Sequence, residues 1–391
     1  MKKSLLALTL GGLGIGITEF VMMGLLPDIA KDLTISIPQA GHLISAYALG
    51  VVIGAPLLVA ITGSYPPKKI LMVLMLMFVT FNALSAFAPD YTFMFIARLL
   101  AGLPHGAFFG VGSVVASRIA EKGKEAQSVS LMFAGLTIAN ILGVPLGTYI
   151  GHNFSWRYTF VIIVIVGLIT LLSIKLWMPA LPATKDRNLK KEMGFFKLPE
   201  AWLIIFMIAI GTGGLFSWYS YIAPLLTEVG GFSDNSITYI LALAGLGMLV
   251  GNFIGGRLAD KFSPAKASVA LLVLMAIALV IIHYISYSQP LALLMTFITG
   301  AISFALASPI QMLMINTAKG SEMIAASVSQ ASFNIGNALG AFLGGLPLAA
   351  GYDYTSPVWV GALMALIGAA FAWMLIAMNK RKAALKLELA V

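Results

Sequence analysis

Long apolar runs, separated by short charged or Pro/Gly-rich breaks, recur from one end of the chain to the other. Read against those breaks, the pattern predicts twelve segments: 4–27, 40–62, 70–88, 92–117, 128–151, 156–178, 201–227, 236–258, 267–287, 290–317, 324–350 and 356–378. Each approaches the ~20 residues that carry a helix across the bilayer, whereas barrel strands would alternate over about 10 residues. The longest polar stretch, 179–200, follows the sixth segment and carries Lys185, Arg187, Lys190, Lys191 and Lys197. The expected fold is therefore all-α and integral to the membrane. A first six-helix bundle spans 1–178, a linker 179–200, and a second bundle 201–391 with a short basic tail.

The halves also repeat one another. At a constant offset of 197, Gly50 matches Gly247, Gly54 matches Gly251 and Lys69 matches Lys266; Asn140, Gly143 and Gly147 match Asn337, Gly340 and Gly344. A parallel repeat of six spans is the internal symmetry of one large transporter architecture.

Composition agrees with the pattern. The chain is 60% hydrophobic and 10% charged, against about 25% charged in soluble domains. It has no cysteine, hence no disulfide, thiolate nucleophile or cysteine metal site. The net charge of +9 is explained by cytoplasmic loops rather than nucleic acid. With twelve spans, 21 Lys and Arg residues fall on the side of the termini and two, Lys31 and Arg157, on the other. The positive-inside rule places both termini in the cytoplasm. The opening Met1-Lys-Lys and apolar run is too long for a signal-peptide core and carries an acid, so it reads as the first span.

That acid is Glu19. It lies eight residues inside Pro27, roughly 12 Å at 1.5 Å per residue. A charge so deep needs a cavity, a partner or a proton. Burial disfavours the ionised carboxyl and a nearby cation favours it, so an acid between the two can exchange protons. The alternative is a hydrogen-bonded acid that orients a neighbouring helix. Arg98 is the second intramembrane charge, roughly 10 Å in from Tyr91 at the same face. Arg98, Gly102, His105 and Phe109 share one helical stripe. His105 suits proton relay or substrate binding, and equally a plain interhelical hydrogen bond.

The fifth segment carries small residues every four positions, Gly135, Ala139, Gly143, Gly147 and Gly151, with Pro145 among them. Gly336, Gly340 and Gly344 repeat the stripe in the eleventh. It suits close helix packing and also a seam on which helices rock. After the eighth segment, Arg257 and Asp260 stand at a helix end with Lys261 and Lys266, while the matching first-half loop keeps Lys69. These are candidates for a conformational gate; an ordinary charged loop is the alternative. Trp218 and Tyr219, with amides Asn140, Asn337 and Gln311, are candidates for lining a substrate cavity, and Tyr221 for an interfacial belt near Pro224. No P-loop, metal-ligand set or nucleophile–base pair appears, so no enzyme chemistry, cofactor or ATP hydrolysis is expected.

Thr18-Glu-Phe with Gly24-Leu-Leu-Pro27, Arg98 to Gly106, Gly143-Val-Pro-Leu-Gly147, Trp156-Arg157 and Gly256 to Asp260 together resemble the major facilitator superfamily along nearly the whole chain. They are most similar to its bacterial drug/proton antiporters, in the arabinose-efflux-permease-like and chloramphenicol-resistance-like branch. The Arg98 segment looks like motif B, associated with proton coupling, and Gly143–Gly147 like motif C, associated with exporters. The resemblance implies a monomer with a central cavity lined by spans 1, 4, 7 and 10. There Glu19, Arg98 and the seventh-span aromatics would border one chamber. Two departures stand out. Gly63 and Ser64 occupy the place of motif A's aspartate, which leaves any cytoplasmic latch either weak or supplied by Asp260, and Val144 separates Gly143 from Pro145. The implied activity is proton-coupled export of small drug-like or sugar-like solutes across a bacterial cytoplasmic membrane. A sugar or metabolite permease, symporter or facilitator, is the alternative, and a non-transporting receptor or scaffold a more distant one.

Overall fold

The computed structural model describes residues 2–62, 65–122, 125–183, 193–318 and 322–388, and among these no strand occurs. The first half comprises α1 (Lys2–Asp32), α2 (Ile37–Thr62), α3 (Pro67–Ala86), α4 (Tyr91–Arg118), a fifth segment built from α5 (Glu125–Ile138), a π-turn (Ala139–Gly143) and α6 (Val144–Asn153), and α7 (Trp156–Trp177). The second half has a seventh segment broken into α8 (Pro199–Gly211), α9 (Gly213–Tyr219), α10 (Ile222–Pro224) and a π-turn (Leu225–Val229). It continues with α11 (Asp234–Lys261), α12 (Pro264–Ile285), α13 (Gln289–Ala305), α14 (Ala307–Thr317), α15 (Glu322–Ala349) and α16 (Pro357–Glu388). Lys185, Arg187, Lys190 and Lys191 of the expected linker lie outside the described residues.

Eleven helical stretches are long and apolar enough to cross a membrane. The remaining segment, α15, the eleventh in chain order, has 28 residues, ample for a span at 1.5 Å per residue. It is less apolar because Ser327, Ser332, Asn334 and Asn337 all turn inward and are buried.

Proline does not act everywhere as the breaks suggest. The first helix runs straight through Pro27 to Asp32, because the turn beyond it is anchored from a distance. Asp28 meets His152 Nδ1 at 2.7 Å, and Asp32 pairs with Arg157 and accepts from Trp156 Nε1 at 3.1 Å. Elsewhere proline does loosen the helix. Pro145 cannot donate to Ile141, and the π-turn ends there; Pro224 cannot donate to Ser220, and the seventh segment opens at Ser220–Tyr221. The expected belt residue Tyr221 is instead 1% exposed, and its hydroxyl donates to the Ala341 carbonyl at 2.6 Å. The break at Ser220–Tyr221 turns it into the protein.

The internal repeat is visible in the packing. Helix α2 lies on α4 as α11 lies on α13, α3 on α7 as α12 on α16, and α1 on α5 as α9 on α15. The matched glycines cause the first pairing. A Cβ on Gly54 would stand 2.1 Å from the Leu103 carbonyl, and one on Gly251 2.0 Å from that of Ala301. Both helix pairs therefore touch backbone to backbone. The small-residue stripes act within each half: Gly143 and Gly147 abut Ile17 and Val21 of α1, while Gly336 and Gly344 abut Thr212 and Ser217. The halves meet elsewhere, through α2 with α15 and α6 with α11. Large apolar side chains such as Leu142, Phe253 and Trp373 are exposed on the perimeter, as lipid contact requires.

Candidate functional site

The site is assembled where α2 crosses α4. Gly102 lies one turn from Arg98 and one from His105, and a Cβ there would be 2.0 Å from the Tyr47 carbonyl. The missing side chain lets Tyr47 sit over both. The guanidinium carbon of Arg98 lies 4.3 Å from the Tyr47 ring centroid and 5.8 Å from that of Phe160 on α7. The Tyr47 hydroxyl lies 3.1 Å from His105 Nδ1, and the His105 ring packs on Phe109 with centroids 5.4 Å apart. The predicted stripe is thus a single buried feature, with Arg98 at 0% exposure.

Arg98 reaches α1 through a neutral group. Its Nη1 donates to the Thr18 hydroxyl at 3.1 Å. Thr18 in turn donates to Asn82 Oδ1 at 2.6 Å, and Asn82 Nδ2 donates to the Phe78 carbonyl at 2.8 Å. That last bond fixes the amide's orientation, so Thr18's only proton goes to Asn82 and its lone pair faces Arg98. Glu19, the next residue, is 3% exposed. It interacts with Arg98 through space, but the two do not form the contact pair that matching depth suggests. Glu19 Oε1 and Arg98 Nε and Nη2 have no hydrogen-bond partner among the described residues. Burying a carboxyl and a guanidinium in this way costs several kcal/mol, so the arrangement does not stabilise the fold.

The second half closes over the acid. Asn337 of α15 faces Glu19, close enough to interact but without a hydrogen bond of ordinary geometry, since neither amide atom is partnered among the described residues. Tyr219 packs edge-on against Phe20, with centroids 6.3 Å apart. Phe216 stacks on Phe20 at 6.3 Å and meets Phe333 at 5.1 Å. Of the expected cavity residues, Asn337 and Tyr219 join the Glu19 neighbourhood and three do not. Trp218 turns into the second half, beside Ile282, Ser286 and Thr296. Asn140 donates to Leu136 of its own helix at 3.0 Å, with its carbonyl against Gly245 of α11. Gln311 is exposed on α14.

The expected gate residues lie apart from the core. Arg257 and Lys69 are exposed, and the Asp260 side chain lies outside the described residues. Gly143 and Gly147 belong to the α1 contact, and Pro145 is buried between them. The neighbouring Lys68 is the anchored lysine, donating to the Lys175 carbonyl at 2.8 Å and that of Met178 at 2.6 Å. At the opposite end the halves touch where Asn153 donates to Asn235 at 3.2 Å, and deeper, beside Asn337, Ser45 donates to the Ala338 carbonyl at 3.0 Å.

Sequence reasoning missed Thr18, Tyr47 and Asn82. Asn82 carries the signal that exposed Glu19, a strongly polar side chain inside an apolar run. Tyr47 carries none, since its role depends on an approach that only the fold creates.

The sequence model of the Major Facilitator Superfamily matches residues 8–324 and 224–389. AraJ of Escherichia coli (strain K12) is 40% identical over 364 residues, 93% of this chain and 92% of AraJ. The chloramphenicol resistance protein of Streptomyces lividans is 28% identical over 372 residues, 94% of each. The fold matches that of the xylose transporter XylE of E. coli in a partially occluded inward-open form, at TM-score 0.75, 17% identity and coverage of 95% and 97%. A multi-pass helical membrane transporter, not an enzyme, is the class these features define. The chain belongs to the major facilitator superfamily.

Proposed function

We propose that this transporter exports small organic solutes, drug-like or sugar-like, in exchange for protons, by alternating access in a bacterial cytoplasmic membrane. One observation carries the reading: a buried carboxyl, Glu19, stands between the halves with an unspent arginine and the unpartnered amide of Asn337 beside it. In the proposed cycle Glu19 takes a proton from outside and substrate departs. The two bundles, 1–178 and 201–391, then rock about the linker 179–200, and the proton leaves inside. Neutral Glu19 releases Arg98, and ionised Glu19 attracts it, so proton occupancy biases the packing of α1 against α4. The aromatic set Phe20, Phe216 and Tyr219 offers apolar faces to a substrate. Both termini are placed in the cytoplasm by the charge distribution, which puts the Asn153–Asn235 contact outside. Arg257, Lys69 and Asp260 are assigned to the cytoplasmic gate, His105 to support of the proton site, and the chain acts as a monomer. The name of the Streptomyces relative supports export.

The test uses everted vesicles, acidified inside, and a panel of labelled solutes that includes chloramphenicol. Export appears as uptake driven by the imposed gradient and is lost in Glu19→Gln. Solute that instead moves in the same direction as protons would establish a symporter, and indifference to the gradient a facilitator. Retention of gradient-driven uptake by Glu19→Gln sinks the proton-carrier role.

A further inference from the structure

Arg98 presents more donors than it uses. One nitrogen bonds to Thr18, while Nε and Nη2 have no partner among the described residues, in a side chain with no exposure. The groups facing Glu19 from its neighbours are Arg98 on α4, Tyr47 on α2 and Asn337 on α15; His105 reaches the set only through the Tyr47 hydroxyl. Arg98 is the sole cation among these groups, and in this arrangement it is held by a hydroxyl rather than by the carboxylate.

We infer that the Thr18–Asn82 pair is a second seat for the Arg98 guanidinium, competing with the Glu19 carboxylate for it; this rests on the proton-coupling reading above. The seat is built for an arginine. Asn82 is locked by the Phe78 carbonyl, so it must accept from Thr18, and Thr18 must then offer a lone pair to a donor. Adjacent positions on α1 carry the two acceptors, so a small movement of α1 or of the side chain transfers the guanidinium between them. When Glu19 is protonated, the hydroxyl seat is the better acceptor. When Glu19 is ionised, a charge-assisted pair is stronger. Thr18 and Asn82 are thus positioning residues: by offering Arg98 an alternative, they make proton uptake by Glu19 easier than a committed ion pair would allow.

The test reads the proton directly and needs no known substrate. Purified full-length protein is titrated by infrared difference spectroscopy, following the carbonyl stretch of the protonated carboxyl that Glu19→Gln removes. Thr18→Val keeps the shape and deletes the seat, and its midpoint is expected about one pH unit lower, the size of one charged hydrogen-bond difference. Thr18→Ser, which restores the hydroxyl, returns the midpoint to the wild-type value, a rescue that mere packing would not give. Thermal unfolding checks that each variant is folded, and Thr18→Ala replaces the valine variant if that one is not. An unchanged or higher midpoint in the hydroxyl-less variant overturns the second seat. If Glu19→Gln removes no titrating band, or keeps gradient-driven transport, it is the proton-coupling reading that fails.

Discussion

Tyr47 holds Arg98 and His105 at once. Its ring face lies 4.3 Å from the Arg98 guanidinium carbon, and its hydroxyl 3.1 Å from His105 Nδ1. The two α4 groups stand two turns apart, and the single α2 side chain spans the gap because Gly102 lets the backbones touch. A π face gives a buried cation partial compensation for lost water without neutralising it. That leaves the charge available to Glu19, which a tight salt bridge to a third residue would not.

Removing the ring and removing the hydroxyl should therefore separate. Tyr47→Phe keeps the face under Arg98 and leaves His105 without its partner, a loss of about 1 kcal/mol. Tyr47→Leu removes both and leaves a void, at about 2–4 kcal/mol. Thermal unfolding of the purified protein in detergent measures the stability difference. Equal losses in the two variants would put the whole effect in the hydroxyl and leave the cation contact without weight.

Asn153 on α6 and Asn235 in the first turn of α11 join the halves at the end opposite the termini, 3.2 Å apart. The chain contains no cysteine, so Asn153→Cys with Asn235→Cys forms a clean reporter pair. A short thiol cross-linker is expected to join them within one polypeptide, shown by altered gel mobility, and to stop transport because that end can no longer open. Each single variant treated alike should remain active. Full transport by the cross-linked protein would mean that this contact does not part during the cycle.

Much of this is legible along the chain, and the failures have physical causes. Glu19 and Arg98 stand out because a charge in an apolar run has few tolerable surroundings. Counting depth from Pro27 misplaces the end of the first helix, because Asp28 and Asp32 find partners 124 and 125 residues away that hold the helix on to Asp32. The twelve-segment pattern locates the helices but not the breaks at Gly211–Gly213 and Ser220–Tyr221, and so puts Tyr221 in a belt. Matching depth is enough to make Glu19 and Arg98 neighbours. What lies between them, the Thr18 hydroxyl, is set by rotation about α1, which spacing alone does not reveal.

The repeated glycines give a control for packing. Gly54→Val and Gly251→Val each drive side-chain atoms into a carbonyl of the crossing helix, at Leu103 or Ala301. Each should cost about 1–3 kcal/mol or more, because backbone cannot move aside as a side chain can. Gly256, further along α11, has open space within 4 Å of where a Cβ would stand, so Gly256→Ala should leave the melting temperature unchanged or slightly raised. A tolerant Gly54 or Gly251 would mean the crossings are looser than the backbone contacts require.

Adjacent lysines in the first turn of α3 should differ in kind. Lys68 closes the end of α7 by donating to the carbonyls of Lys175 and Met178, where a helix leaves acceptors unpaired and favours positive charge. Lys68→Met removes both bonds and should lower stability by about 1 kcal/mol. Lys69 is exposed and holds no side-chain hydrogen bond among the described residues, so Lys69→Met should unfold at the wild-type temperature. Its effect, if the gate assignment is right, appears in transport rate alone. Matching stability losses in the two variants would erase the distinction between a helix-capping lysine and a gating one, and a Lys69→Met protein with wild-type transport would remove Lys69 from the gate.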